Sequence, residues 1–104
     1  MSDPSVGRIV HYQLTPEDAE AITRRIDDGT RHIAEHRERA DGSIVHIGND
    51  AVAGQVLPML IVRVWSPTLV NGQVFVDGNF TLWVPSVEYS EGPEFRHWFW
   101  PQRV

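Results

Sequence analysis

The sequence predicts a mainly β protein with a helical insertion. The form expected is a small SH3-like antiparallel β-barrel of about five strands, with helices in the first long connection. Three observations predict it. β-branched and aromatic residues concentrate at 6–12, and 44–104 is again strand-like with short turns. The stretch 14–42 between them has helical spacing. The late strands follow one another through short turns, whereas one long excursion separates the first from the rest. A two-layer α+β sheet is the alternative. With 104 residues the chain suits a single domain, 1–104, with 15–42 as a helical excursion within it.

The first strand is read over 6–12, Val-Gly-Arg-Ile-Val-His-Tyr. Thr15 then offers a good N-cap, Pro16 suits the first helical position, and Glu17 and Asp18 complement the helix dipole. Ala19, Ile22 and Ile26 form one apolar stripe. Asp27-Asp28-Gly29 reads as a stop, with Thr30 capping a second helix to about Ala40; one long bent helix is the other reading, because the stripe continues through Ile33. Residues 15–42 carry five Arg against eight acids and read as a solvated face. Ile44–Ile47 reads as a short strand and Gly48–Gly54 as a loop.

Val56–Trp65 is the strongest strand signal, with Pro58 near its start or on an edge. Val70–Val76 follows as a strand, although Asn71-Gly72 also fits a tight hairpin turn. Phe80–Val87 and Phe95–Trp100 complete the set, separated by the Ser90-Glu91-Gly92-Pro93 loop.

Alternation puts Leu60, Val62 and Val64 on one face and Met59, Ile61, Arg63 and Trp65 on the other. Neither face is plainly polar, so the second needs a cover: the helical excursion, another subunit, or a ligand. Barrel closure supplies a second expectation, because the terminal strands of a small closed barrel lie close together. It gathers Arg8, His11 and Tyr12 near Trp98, Trp100 and Arg103, a set able to stack a planar ring and hold phosphates. Ordinary core packing of the aromatics is the competing reading.

Composition removes several function classes. The chain has no Cys, hence no disulfide framework, thiolate zinc site or thiol nucleophile. Its net charge of -5 argues against double-stranded nucleic acid. No apolar run reaches about 20 residues, and the first eight residues hold no apolar signal core, so a membrane is not expected as a partner and a cytoplasmic location is. All nine cations are Arg, which fits GC-rich codon usage better than a special ligand. His32 and His36 have metal-compatible i, i+4 spacing but lack the zincin signature, so no metal or other cofactor is expected. Nucleophile elbows and phosphate loops are absent, which leaves enzyme activity little support.

The motifs Val6-Gly7-Arg8-Ile9-Val10-His11-Tyr12, Pro58 to Trp65, Val70 to Asn79, and Trp98-Phe99-Trp100-Pro101-Gln102-Arg103-Val104 carry a resemblance. Together they resemble a family of small proteins of tailed bacteriophages and prophages with a GRIVHY start and a WHWPER-like end around a β core. The Thr-Pro-Glu-Asp-Ala-Glu-Ala helix looks like the actinobacterial-phage branch. The resemblance spans about two-thirds of the chain and implies no activity. Phe99 stands where the motif has His and Gln102 where it has Glu, so a mechanism resting on those two groups is doubtful here. Arg8, His11, Tyr12, Arg63, Trp98, Trp100 and Arg103 match it.

The function expected is non-catalytic binding of a small anionic, nucleotide-type host immune signal in the host cytoplasm. Trp98 and Trp100 would stack the base, with Trp65 as a further aromatic of the site. Arg8, Arg63 and Arg103 would hold phosphates, and His11 and Tyr12 would hydrogen-bond. A homo-oligomer is expected to cover the second apolar face and frame the pocket. A virion or assembly component, and a protein-binding inhibitor of a host enzyme, are the alternatives.

Overall fold

The structure is a computed structural model that describes residues 3–37 and 47–102, with the backbone alone described over 30–37. Five strands and one helix follow in order: β1 (Ile9–Gln13), α1 (Pro16–Arg37), β2 (Val56–Val64), β3 (Leu69–Phe75), β4 (Thr81–Tyr89) and β5 (His97–Phe99). The strands close into a barrel in the order β1-β2-β3-β4-β5. β1, β2, β3 and β4 pair successively antiparallel, β5 joins β4 in parallel, and β5 returns antiparallel to β1. A mainly β chain with its helix in the first long connection is therefore the fold, compatible with a small SH3-like barrel.

The helix begins where Thr15 caps it. Thr15 Oγ1 accepts from Asp18 N at 3.0 Å, and Asp18 Oδ2 accepts from Thr15 N at 3.2 Å, a reciprocal cap that satisfies two otherwise unpaired amides. Ala19, Ile22 and Ile26 are buried, as their spacing requires. α1 does not stop at Gly29. A Cβ there would run into the Ile47 side chain, so this glycine is a packing contact within one continuous helix. The expected Ile44–Ile47 strand falls mostly outside the described residues; Ile47 itself is not in a strand, and Gly48 forms an isolated bridge with Gly78.

α1 packs against one end of the barrel. Ile22 and Ile26 join Tyr12, Leu14, Val76 and Trp98 in one buried cluster. Thr23 Oγ1 accepts from Ala51 N at 3.2 Å, tying the helix to the loop before β2. The helix leaves Ile9, Val62, Phe75 and Trp83 exposed on the outer surface of the sheet. Helix cover of the second apolar face is thus not what this fold uses for those residues.

The strand phases follow the inside of the barrel with two breaks, one in the β2–β3 ladder and one between Val70 and Gly72 in the β3–β4 ladder. Val10, Tyr12, Met59, Ile61, Val70, Val74, Val84, Val87 and Trp98 fill the interior. The β2–β3 register shifts between Ile61 and Arg63. A bulge of this kind reverses which side chains face inward. Beyond it Val64 packs on the core, and Arg63 and Trp65 turn out to the surface. Uninterrupted alternation would place those two with Met59 and Ile61.

Asn71 secures the bent region. It is buried, and its Oδ1 accepts from Trp65 Nε1 at 3.0 Å and from Ser86 N at 2.7 Å. Ser86 sits at φ 54°, a left-handed conformation rare for a residue with a side chain. One amide oxygen therefore holds the end of β2 and the turn within β4. Gly72 lies in the middle of β3, not in a hairpin, and a Cβ there would overlap the Met59 side chain.

Candidate functional site

Pairing of the terminal strands decides which candidate residues meet. His11 lies opposite Phe99 and Tyr12 opposite Trp98 in the β1–β5 ladder. Arg8, just before β1, places its guanidinium 5.0 Å from the Trp100 ring centroid. The expected neighbourhood of Arg8, His11, Tyr12, Trp98 and Trp100 is present, and Arg103 lies outside the described residues.

Within that neighbourhood the inward and outward residues differ sharply. Trp98 has no exposed surface, and its Nε1 donates to the Thr68 carbonyl at 2.9 Å. Tyr89 meets it edge-on at 4.9 Å and Trp100 at 5.5 Å. Tyr12 is equally buried and donates its hydroxyl to Asp18 Oδ2 at 2.5 Å. Burial, followed by this bond to a carboxylate, holds its pKa well above the ordinary phenol value. Both side chains are core, with their polar atoms bonded, and neither offers a face on which a ligand could stack.

The outward set is His11, Trp100 and Arg8. His11 and Phe99 pack edge to face at 5.5 Å. Together with Trp100 they line a cleft of about 400 Å³, bounded further by Val56, Glu91, Gly92, Pro93 and Gln102. The walls are thus mostly aromatic and apolar, with a few polar groups, the usual chemistry of a small-molecule site. Trp100 Nε1 is buried without a hydrogen-bond partner among the described residues. A buried indole N–H in this condition forfeits the bond it had to water. Glu91 supplies an acceptor and Arg8 a cation beside the Trp100 ring.

Arg63 and Trp65 form a separate unit. The Arg63 guanidinium stacks 4.0 Å from the Trp65 ring, and the indole is tied to Asn71. Both are exposed, and neither lines the cleft. The bulge in β2 is the physical reason that they depart from the terminal-strand cluster.

Sequence reasoning missed Phe99, Val56, Gln102 and the Glu91–Pro93 loop as parts of the cleft. In the sequence Phe99 and Gln102 stand out only as departures from a motif. The loop carries a readable turn signal, but only the parallel return of β5 beside β4 swings it over β1. A wider groove of about 590 Å³ lies between α1 and the loops at Ile47 and Asn79-Phe80. Its cations are already engaged: Arg24 pairs with Glu20 at 2.5 Å and Arg25 lies 4.3 Å from the Phe80 ring. The smaller cleft has the more aromatic lining, His11, Phe99 and Trp100 against Phe80 alone in the groove, which makes it the better site for a planar ligand.

Among the described residues there is no group of three or more His, Cys, Asp or Glu that could hold a metal ion, and no helix long and apolar enough to cross a membrane. The side chains of His32 and His36 lie outside those described. No family model matches the chain, and neither a curated protein nor a solved structure does.

Proposed function

We propose that the protein is a phage-encoded, non-catalytic binding protein whose cleft takes a small anionic, nucleotide-type ligand, withholding a host immune signal in the host cytoplasm. The observation that carries the reading is the cleft walled by His11, Phe99 and Trp100, with Arg8 beside the Trp100 ring. A nucleobase suits this set. Its flat face stacks on aromatic rings, and an exocyclic amine donates to Glu91. Arg8 is the cation placed to meet a phosphate. Sequestration requires only stoichiometric binding, so no nucleophile or general base is called for.

Calorimetry with a panel of cyclic dinucleotides and cyclic ADP-ribose isomers tests the reading. Saturable binding by at least one is expected, weakened by Trp100→Ala. One stacked base contributes about 1–3 kcal/mol, roughly a 5- to 150-fold loss of affinity. Absence of heat with every compound, using protein shown to be folded, overturns it.

A further inference from the structure

The outer surface of the sheet carries a second feature, which meets the cleft at His11. Register places Ile9, Leu60, Gln73 and Trp83 side by side in one row across β1, β2, β3 and β4. The neighbouring row begins at His11 and Pro58, and Phe75 and Thr81 complete it. Trp83 is 56% exposed, Ile9 47% and Phe75 41%, and with Leu60 large apolar groups face outward on four adjacent strands. Neither row contains Asp, Glu, Lys or Arg. Thr81 Oγ1 donates to Gln73 Oε1 at 3.0 Å within the sheet.

We propose that a second copy of this chain covers this face, forming a two-fold dimer in which Trp83 of each copy lies on Ile9 and Leu60 of the other. The order of the row supports self-pairing. It runs from two aliphatic residues at one side to an indole at the other, with Gln73 between. A two-fold axis near Gln73 lays each end against its complement, which is the requirement of an isologous interface. Charge supports it as well. The chain has a net charge of -5, so two copies repel through most approaches, whereas the two rows bring no carboxylate against another. A nucleic acid or an acidic peptide finds no Lys or Arg in these rows. An exposed tryptophan beside apolar neighbours has the composition of an interface hot spot.

The area sets the strength. Aromatic side chains of 150–250 Å² each, about half exposed, bring the patch with its aliphatic neighbours to about 400 Å² per copy. That is within the size of patch that is often functional on a single protein. Two such patches bury about 800 Å² before their rims are counted, the low end for specific association. The dimer is therefore weak and concentration-dependent, exchanging readily with monomer.

Sedimentation equilibrium over a wide concentration range tests the pairing on the full chain. Monomer of 11.8 kDa at low concentration and a species of twice that mass at high concentration are expected. Trp83→Arg and Leu60→Glu should each weaken self-association at least about tenfold, with unchanged circular dichroism. A mixture of the two variants should associate again. In the mixed dimer the introduced guanidinium of one copy faces the introduced carboxylate of the other at one contact, and the native Trp83–Leu60 contact is kept at the second. A wild-type protein that stays monomeric throughout overturns the proposal. So does a dimer that survives Trp83→Arg, or single variants that lose the dimer without recovering it on mixing.

Discussion

Tyr12 has two environments at once: its ring lies in the barrel core, and its hydroxyl reaches Asp18 in the first turn of α1. The ordinary phenol value is 10.0, and burial together with the Asp18 bond raises the folded value well above it. The sign of the pH effect follows. Below about 10 the phenol is protonated in both states and the contribution to stability is complete. Above it the unfolded chain releases a proton that the native state retains, so stability falls as pH rises, by about 1.4 kcal/mol per unit per group. Tyr12→Phe should cost about 1–2 kcal/mol at neutral pH through loss of the hydrogen bond. It should also lower the steepness of the alkaline loss. Urea unfolding of both proteins at pH 8 and pH 11 measures each effect. An identical alkaline slope in the variant would show that Tyr12 is not the group responsible. The sequence displays both partners but not their pairing, because the bond depends on the direction in which α1 leaves β1 after Thr15.

At the scale of elements, the fit between β2 and β3 turns on Gly72 and Met59. The Asn71-Gly72 pair carries a hairpin signal, yet the segment continues as strand, because the absent side chain of Gly72 is the space that Met59 fills. Gly72→Ala should destabilise by about 1–3 kcal/mol through overpacking. Met59→Ala alone should cost about 2–5 kcal/mol through the cavity it leaves. Combined, the two losses should fall short of their sum by about 0.5–3 kcal/mol, since the new methyl occupies part of that cavity. A double-mutant cycle by denaturant unfolding measures this coupling; additive losses would show that the residues do not share the space. The same distinction explains which elements are readable. The helical stripe of Ala19, Ile22 and Ile26 repeats along one segment, as does the alternation of Met59 and Ile61, so sequence reveals both. The bulge that turns Arg63 and Trp65 outward is a relation between two strands, and neither strand displays it alone.

For the whole molecule, closure is the productive inference and the roles of the tryptophans are the obscure part. Closing the barrel requires β1 beside β5, which joins Arg8 to Trp100 and Tyr12 to Trp98. Which rings face inward depends on strand phase at closure. Trp98 and Trp100 lie two apart, yet Trp98 sits wholly inside while Trp100 is partly exposed beyond the end of β5. Trp83, exposed at mid-strand, gives no sign of its position in composition or motif. These placements make unequal demands on stability. Trp98 fills the interior and ties β5 to the β2–β3 turn through Thr68. Trp98→Ala should therefore cost about 3–5 kcal/mol and leave the Thr68 carbonyl without this donor. A domain of this size has only about 5–15 kcal/mol in total, so the variant should be barely folded or unfolded at room temperature. Trp83→Ala removes an indole already facing water and should change stability by less than about 1 kcal/mol in dilute protein, where the proposed dimer is dissociated. Thermal unfolding followed by circular dichroism at low concentration compares the two. Equal losses would mean that Trp83 is buried in the monomer, which would contradict the outward phase of β4 and remove the surface on which the dimer is argued.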